Sequence, residues 1–334
     1  MELIKYESRP ENWDDIIKSF DSKTLFHESA WHDHIETIYK NATVNYYYIQ
    51  ENESVIGYYC ALVVKRFGMK IMGSPLKGTG TNYMGPIINQ HTDQVPLMTA
   101  ILDMCKREKI SHLELSNDIL DPEIMRSFNF KLYNFVTHKI PVPDEEETAF
   151  KNLKSTGRNR VKKAMQNNLK VEILDNDRII PTYIEQLKEV YGKQGMSLPF
   201  GINRVQSLCN IDRANHNLLK MGIIYDNEII ATGLFPYDEN AIYFWGAASW
   251  MKDQHLLPNE LLHWEIIKFA VNNNIKVYNM CGGTSQFKNK FGGEDVEHVT
   301  YTKSFIPLMG TIRNIYKTMH WVKLKINKRL KLNL

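Results

Sequence analysis

The sequence predicts an α/β protein in which one domain occurs twice, and three repeated features indicate this. Val95–Ser116 and Asn259–Met280 each show an amphipathic helix, a polar turn and a short strand over equal lengths. Tyr46–Val64 and Leu218–Phe235 each show two strands around a short polar turn. Three pairs of identical residues are separated by the same offset in sequence: Phe128 and Phe291, Val136 and Val299, and Thr137 and Thr300. The repeat is too long for a solenoid, whose period is ~20–50 residues, so we expect two similar domains with a site in the groove between them.

Length and composition are those of a soluble globular protein. The 334 residues suffice for two domains of ordinary size. The N-terminal segment lacks the basic and apolar regions of a secretory signal, and no run of about 18 apolar residues indicates a membrane span. The four cysteines are scattered and fit buried thiols in a reducing cytoplasm: Cys60, Cys105, Cys209 and Cys281. We therefore expect a cytoplasmic protein without a bound metal.

Charge separates a C-terminal tail from the rest of the chain. Residues 308–334 carry seven Lys or Arg and no Asp or Glu, so the net charge of +3 leaves −4 for residues 1–307. Apolar residues are interspersed with these charges. The tail is therefore either a helix packed on the second domain with a solvated basic face or a segment lying peripherally on the inner face of an anionic membrane. DNA is not expected as a partner, because no platform of stacking aromatic residues accompanies the charges.

The first copy is predicted to begin with a helix, Ser29–Lys40, which Ser29 caps. Strands follow where Val, Ile and Tyr are frequent: Val44–Gln50, Val55–Lys65 and Lys70–Met72. Gly73–Pro86 is predicted to be a loop, because Gly and Pro are too dense for a regular element. Pro141–Glu147 is the expected linker, which gives domains 1–145 and 146–307 before the tail at 308–334.

The second copy is predicted to begin with a helix at Thr148–Asn168, interrupted at Gly157. The elements expected before the repeated helix and strand are strand Lys170–Ile173, helix Pro181–Lys193, and strands Lys220–Tyr225, Glu228–Pro236 and Ala241–Ala247.

Five segments carry a family resemblance. They are Leu25–Ile35 (LFHESAWHDHI), Tyr83–Pro86 (YMGP), Leu153–Val171 (LKSTGRNRVKKAMQNNLKV), Gly246–Trp264 (GAASWMKDQHLLPNELLHW) and Gly282–Gly293 (GGTSQFKNKFGG). In this order and spacing they resemble the FemABX-like aminoacyltransferases and the related acetyltransferase domains of polysaccharide synthesis. The resemblance implies two tandem GNAT-like (acyl-coenzyme A N-acyltransferase) domains, each a mixed sheet with flanking helices.

The Phe-Lys-x-x-Phe-Gly motif at residues 287–292 supplies the candidate for catalysis. The family has a lysine at the position of Lys288, and we expect this cation to stabilise the oxyanion that forms during acyl transfer. Lys290 is the competing lysine, and Gly292 would let the backbone approach a ligand closely. An ordinary turn with two solvated lysines is the alternative.

Further residues of the second copy are candidates for substrate binding. The resemblance implies that Arg158 faces the diphosphate of a substrate, although a solvated helix face explains it equally well. Asn259 opens the repeated helix as a structural cap or as a ligand for a donor group. Glu260 and His263 lie one helical turn apart and are either a general base or an exposed surface pair. Trp245 indicates a core residue or a groove wall.

The first copy supplies two more candidates. Tyr83 begins a turn that resembles the aromatic-x-Gly-Pro turn of the family. Three residues beyond that turn the family often has an aspartate, and this chain has Asn89, which can bind a substrate but cannot act as a base. Ile35 likewise replaces a frequent lysine. A peptidoglycan muropeptide is therefore not implied as the specific acceptor.

The acyl donor is open between acyl-coenzyme A, such as acetyl-coenzyme A, and aminoacyl-tRNA. Leu76–Asn82 lacks the full Gly-rich pattern that grips coenzyme A, and Ser249–His255 contains no glycine. The resemblance implies an N-acyltransferase that acts on an amine of a cell-envelope saccharide, a lipid-linked precursor or a peptidoglycan-type precursor. The alternative is a catalytically inactive protein of the same fold that binds a glycolipid or a partner.

Overall fold

Two compact units divide the chain. The computed structural model describes residues 1–39, 41–66, 68–215 and 217–306. Unit 1 comprises residues 1–134 and the chain from 299 onward, and unit 2 comprises residues 135–298. The sequence-based division differs from this one, since it assigns residues 135–145 to the first domain and residues 299–307 to the second. The basic tail, residues 308–334, lies outside the described residues.

The elements of the first copy follow in chain order. They are β1 Glu2–Lys5, α1 Trp13–Ile17, α2 Ser29–Ile38, β2 Ala42–Glu51, β3 Ser54–Arg66, β4 Met69–Ser74, β5 Pro86–Ile87, α3 Gln94–Arg107, β6 His112–Leu115, α4 Pro122–Ser127 and β7 Lys131–Pro141. The three predicted strands lie within β2, β3 and β4, and α2 begins at the predicted Ser29 but ends at Ile38, before the predicted end of the helix. The predicted loop Gly73–Pro86 is shorter at both ends, because β4 extends through Ser74 and β5 begins at Pro86.

The elements of the second copy have a similar order. They are α5 Glu146–Asn152, α6 Ser155–Met165, β8 Lys170–Ile173, α7 Asn176–Lys193, α8 Ile202–Asn215, β9 Leu218–Tyr225, β10 Glu228–Pro236, β11 Ala241–Tyr243, β12 Gly246–Ser249, α9 Pro258–Asn272, β13 Val277–Gly282, α10 Gln286–Asn289 and β14 Glu294–Ser304. A 3₁₀ turn at Met251–Leu256 precedes α9. Among the described residues, no helix is both long enough and apolar enough to cross a bilayer.

Unit 1 has a sheet in the order β1-β2-β3-β4-β6, completed by residues 301–304 of β14, which pair antiparallel with β6. Helix α3 packs on this sheet because its apolar residues recur at helical spacing and are buried: Leu97, Met98, Ile101, Met104 and Cys105. The Asp93 side chain caps α3 by accepting from the amide of Val95 at 3.0 Å. The helix and the strands β2 to β6 thus share one apolar core.

Unit 2 contains one sheet in the order β12-β10-β9-β8 and a second group of strands in which β13 pairs with β11 on one side and with β7 on the other. Residues 137–141 of β7 belong to this unit, although β7 ends the first copy in sequence. Each unit is therefore completed by the strand that follows the other copy. The strand order is otherwise the same within each copy: β2-β3-β4-β6 in the first, and β9-β10-β12 followed by β11-β13 in the second. The pairing of β4 with β6 and that of β11 with β13 are both parallel. The predicted duplication of an α/β domain is confirmed.

Two helix predictions for the second copy were wrong in detail. The predicted helix Thr148–Asn168 is two helices, and the break lies at Leu153 and Lys154 instead of at Gly157. Gly157 lies inside α6, and glycine is required there because a Cβ would overlap the carbonyl oxygen of Lys290. Helix α7 begins five residues before the predicted Pro181, where Asp175 caps it, and α8 was not predicted.

Candidate active site in unit 2

The central strand of unit 2 changes its partner halfway along its length. Strand β11 pairs with β13, and the Phe244 amide still donates to the Asn279 carbonyl at 2.8 Å. The next amide, that of Trp245, donates instead to the Leu234 carbonyl of β10 at 3.2 Å. Gly246 is also paired with Leu234, so two residues stand opposite one. This arrangement is a β-bulge, which commonly redirects a strand next to an active site.

A gap opens where this strand leaves β13, and we call it the strand gap. Strand β13 pairs with β7 on its other edge at Val277–Asn279 and at Gly282, and in the described part of the chain no pairing joins residues 246–249 to residues 280–282. In unit 1 the corresponding strand β4 pairs with both neighbours through Ile71–Gly73, so it has no such gap. The prediction of one unbroken strand at Ala241–Ala247 was therefore wrong, because the bulge separates β11 from β12.

Helices cover the two faces of the sheet beside the strand gap. The Thr232 hydroxyl of β10 donates to the side-chain oxygen of Gln186 on α7 at 2.6 Å. A Cβ on the neighbouring Gly233 would instead lie 3.0 Å from Leu262 on α9. Since successive strand residues point to opposite faces, α7 and α9 lie on opposite sides of the sheet.

Helix α9 begins close to the strand gap. Its N-cap residue, Leu257, has a left-handed φ of 62° and provides no side-chain cap, so the first amides of the helix lack that partner. Asn259 donates from its side-chain nitrogen to the Ser249 hydroxyl of β12 at 3.0 Å. Its side-chain oxygen is buried without a partner in the described residues. The predicted candidate Asn259 therefore joins the helix to the strand and has one buried acceptor that no described residue satisfies.

The two phenylalanines of the Phe-Lys-x-x-Phe-Gly motif pack on a buried histidine. The rings of Phe287 and Phe291 each lie 5.2 Å from the ring of His263, and that of Phe244 lies 4.9 Å from it. Burial, and then the charge of Lys288, lowers the pKa of His263 to about 3. His263 is 1 % exposed and its Nδ1 is hydrogen-bonded to the Tyr278 hydroxyl at 2.6 Å. The interpretation of His263 as part of an exposed pair was wrong, and its lowered pKa makes it a weak base.

Lys288 holds the turn that follows β13. Its ammonium donates to the carbonyls of Cys281, Gly282 and Gly283 at 3.2, 2.8 and 2.9 Å. The side chain is half-buried, and burial lowers the pKa of Lys288 from its usual value. Cys281 is partly buried and has a left-handed φ of 58°. The charge of Lys288 is thus fixed at the β13 side of the strand gap.

Glu260 is the centre of a buried charge cluster. It is 4 % exposed, and one of its oxygens accepts from Arg160 at 2.6 Å and from Lys290 at 3.0 Å. The Lys290 ammonium also lies 4.9 Å from the centre of the Phe287 ring. Glu260 is therefore not exposed, contrary to the surface-pair interpretation, and both lysines of the motif have partners in the protein.

Arg158 and Gly292 contact the protein's own backbone. The Arg158 guanidinium donates to the carbonyls of Lys151 and Leu153 at the end of α5. Gly292 has a φ of +80°, and a Cβ there would lie 2.6 Å from the carbonyl oxygen of Asn152. The Gly292 carbonyl is also 2.7 Å from the His138 ring nitrogen Nε2. The close approach predicted at Gly292 is thus made by this chain in the structure.

Trp245 forms a wall on the α7 and α8 side of the sheet. Its ring lies 6.3 Å from that of Tyr183 and 5.4 Å from that of Phe200. The Arg204 guanidinium lies 5.4 Å from the Phe200 ring centre and 5.9 Å from that of Trp245. We call these four residues the Arg204 cluster. Sequence reasoning singled out only Trp245 of the four. Helix α8, which carries Arg204, was not predicted, and the Pro- and Gly-containing run Met196–Arg204 was the signal of a loop leading into it.

The remaining candidates lie in unit 1. Tyr83 is 5 % exposed and its ring lies 6.4 Å from that of Phe26. Asn89 is exposed and accepts from the amide of Asp21 at 3.4 Å. Neither belongs to unit 2, so the structure does not group them with the strand gap. Among the described residues there is no cluster of His, Cys, Asp or Glu that could hold a metal ion.

Comparison with known proteins identifies the fold. Residues 151–289 match the family model for the acetyltransferase (GNAT) domain, and this segment includes the strand gap, α9 and Lys288. No curated protein matches the sequence. The crystal structure of FemX is similar, with a TM-score of 0.72 and 13 % identity over 90 % of this chain and 97 % of that one.

Two other solved structures share the fold. L-PGS from Bacillus licheniformis has a TM-score of 0.55 and 9 % identity, over 92 % of this chain and 96 % of that one. A tandem GNAT protein from the clavulanic acid biosynthesis pathway has a TM-score of 0.55 and 8 % identity, over 92 % and 99 %. Residues 151–289 thus match the GNAT acetyltransferase domain, and the solved structures show that the chain shares the fold of FemX and of a tandem GNAT protein.

Proposed function

We propose that unit 2 transfers an acyl group from a thioester donor to an amine of a cell-envelope saccharide or peptide precursor. The observation that carries the proposal is the strand gap beside the N-terminus of α9, inside the segment that matches the GNAT domain. We propose that the edges of residues 246–249 and 280–282, which are not paired with each other in the described part of the chain, accept an extended chain between the two strands.

The residues at the strand gap fit an acyl-coenzyme A donor. The orphaned side-chain oxygen of Asn259 can accept from an amide N–H of the pantetheine arm. The N-cap residue of α9, Leu257, makes no capping hydrogen bond with its side chain, so the N-terminal amides of the helix can bind a phosphate. The 3₁₀ turn Met251–Leu256 replaces a Gly-rich turn, so the donor's phosphates would meet α9 through helix amides alone. An aminoacyl-tRNA remains the second donor to be tested.

Backbone amides of β12 supply hydrogen-bond donors for the reaction. Residues of an antiparallel strand alternate in the neighbour that they hydrogen-bond, so every second N–H of β12 points away from β10, toward the strand gap. An acyl carbonyl placed there receives a fixed donor, which stabilises the oxyanion as the amine attacks. The attacking amine forms the new C–N bond, the thiolate leaves, and the amine's proton passes to solvent or to the thiolate.

Lys288 contributes positive charge and holds the edge of the strand gap. We propose that it stabilises the oxyanion through its field while its three carbonyl partners keep the turn after β13 in place. Because burial lowers the pKa of His263 to about 3, that residue would be a weak base, and we propose that the amine arrives unprotonated or loses its proton to water.

The experiment is to incubate the purified protein with acetyl-coenzyme A or with charged tRNA, together with amino-sugar and peptide amines, and to follow products by mass spectrometry. We expect acylation of an amine nitrogen that depends on the protein. Binding of donor and acceptor without any product would instead favour the binding-protein alternative.

The basic tail suggests where the acceptor is met. Residues 308–334 carry seven basic residues, and we propose that they bind an anionic membrane that presents a lipid-linked acceptor. Deletion of Leu308–Leu334 should abolish binding to anionic vesicles without unfolding the rest, and binding of the intact protein should weaken with salt. Equal vesicle binding by the truncated and intact proteins would remove this proposal.

A further inference from the structure

We propose that His138 carries a proton on both ring nitrogens and acts as a buried cation that compensates Asp295, so that Lys288 presents an uncompensated positive charge to the strand gap. This inference rests on the proposed function and deepens it. It adds a positioning residue of β7 that neither the motif segments nor the family resemblance singles out. His138 does not touch the reacting atoms and acts through its neighbours in unit 2.

The ring of His138 is held between two oxygen atoms. Its Nδ1 lies 2.7 Å from Oδ1 of Asp295 on β14, and its Nε2 lies 2.7 Å from the carbonyl oxygen of Gly292. A carbonyl oxygen can only accept a hydrogen bond, and so can a carboxylate. A neutral imidazole has one N–H and would direct the lone pair of its other nitrogen at one of these oxygens. The doubly protonated ring makes both hydrogen bonds.

Burial makes the charge of this ring depend on its partner. His138 is 2 % exposed, whereas the side chain of Asp295 is 41 % exposed. A buried cation is costly unless an opposite charge and hydrogen bonds accompany it. Asp295 supplies the charge and one hydrogen bond, and Gly292 supplies the other hydrogen bond. The charges of His138 and Asp295 therefore sum to zero beside the motif that carries Lys288.

The hydrogen bond to Gly292 joins β7 to the segment of Lys288. Gly292 ends the Phe-Lys-x-x-Phe-Gly motif, and its amide donates to the carbonyl of Asn289 at 3.3 Å. The amide of Phe291 donates to the carbonyl of Lys288 at 3.0 Å. These bonds link Gly292 to the short helix α10, on which Lys288 lies. His138 thus anchors the end of this segment.

Asp295 acts on Lys288 through its charge. Burial lowers the pKa of Lys288, and the nearby Cys281 and Asp295 act in the opposite direction. An uncompensated carboxylate of Asp295 would repel the oxyanion that forms in the strand gap, and it would thereby oppose Lys288. The cation of His138 cancels that repulsion. A purely structural His138 would hold Gly292 in place, and the charge of Asp295 would then have no effect on the rate.

The test combines kinetics with nuclear magnetic resonance. The variants are His138→Gln, which keeps an N–H donor and removes the cation, Asp295→Asn, and the double variant. The matched control is His112→Gln in unit 1, which alters another buried histidine beside a carboxylate, with Nε2 at 3.4 Å from Glu114. Acetyl-coenzyme A and glucosamine give kcat and KM, and nitrogen-15 spectra count the protons on the ring of His138.

We expect His138→Gln to lower kcat about tenfold with KM within about twofold. This is the effect of one uncompensated charge ~10 Å from the oxyanion at an effective dielectric constant of ~20. Adding Asp295→Asn should restore most of kcat, and His112→Gln should leave both constants unchanged. Both ring nitrogens of His138 should be protonated in the wild type at pH 7. Asp295→Asn should remove one of the two protons, because an amide can donate to the ring.

A His138 nitrogen without a proton in the wild type at pH 7 would overturn the inference, as would a double variant as slow as His138→Gln. If His138→Gln fails to fold, the proton count in Asp295→Asn decides, and an unchanged count would overturn the inference. If no amine is acylated, the proposed function fails and the pKa of Lys288 replaces the kinetics. That pKa should rise in His138→Gln and return in the double variant, and an unchanged value would overturn the inference.

Discussion

Replacing Lys288 with Met should reduce turnover about a hundredfold while the protein stays folded. Met keeps much of the bulk of the side chain and removes the charge that the three carbonyls of residues 281–283 hold in place. An oxyanion separated from the Lys288 ammonium by one layer of atoms lies ~6 Å from its charge. At an effective dielectric constant of ~20, the attraction between the two charges that the Met variant loses is about 3 kcal/mol. That energy corresponds to a factor of roughly a hundred in rate.

The folding cost should be smaller. Gly282 and Gly283 are exposed, so water can replace the ammonium at their carbonyls, and the loss of stability should be about 1–2 kcal/mol. The assay measures thiol release from acetyl-coenzyme A with a saturating amine, and kcat should fall while KM stays within about twofold, because the interaction acts on the transition state. Lys288→Arg should retain part of the rate, and Lys290→Met, which removes a partner of Glu260, should have much less effect. A folded Lys288→Met variant with wild-type kcat would refute the catalytic role.

Three further predictions concern stability. Burial lowers the pKa of His263 to about 3 in the folded protein, against about 6.5 in the unfolded chain. The unfolded chain therefore binds the proton first, and the free energy of unfolding falls by ~1.4 kcal/mol per pH unit as the pH drops below 6.5 toward 3. Urea midpoints from pH 7 to 4 should fall less steeply for His263→Gln, and parallel curves would contradict this. Gly157→Ala should destabilise because its Cβ meets the Lys290 carbonyl, whereas Gly192→Ala in α7, with nothing nearby, should stabilise by about 0.5–1 kcal/mol; thermal unfolding checks the opposite signs. Glu260→Gln should cost about 1–3 kcal/mol in chemical denaturation, more than Arg160→Met or Lys290→Met, since each of the latter leaves Glu260 one partner.

Periodicity in the sequence predicted the elements that local patterns determine. Strands β8 and β10 have the predicted bounds, and α3 and α9 occupy the two repeated helix segments. The hydrophobic pattern could not predict the bulge at Phe244–Gly246, because the residues on both sides of it are apolar and only the departure of β13 makes the strand change its partner. The strand that borders the strand gap was therefore predicted to be one ordinary strand, Ala241–Ala247.

Tertiary contacts account for the other differences. Gly157 looks like a helix breaker in the sequence, yet it continues α6 because only glycine allows the Lys290 carbonyl to approach. Glu260 and His263 have the spacing of an exposed pair. However, Arg160 and Lys290 neutralise Glu260, and aromatic rings enclose His263. The exchange of β7 and β14 between units leaves no local signal, since each strand has the same pattern whichever sheet it joins.

The central claim is that the strand gap of unit 2 binds the acyl donor, and hydrogen–deuterium exchange with a non-reactive acetyl-coenzyme A analogue, in which CH₂ replaces the thioester sulfur, tests it most directly. We expect the analogue to slow exchange in peptides that cover residues 246–249, 258–261 and 280–282. Peptides covering Met69–Ser74, the corresponding strand of unit 1 that has no gap, should exchange at an unchanged rate and serve as the internal control. Protection of Met69–Ser74 with no protection of residues 246–249 at a saturating concentration of the analogue would contradict the account.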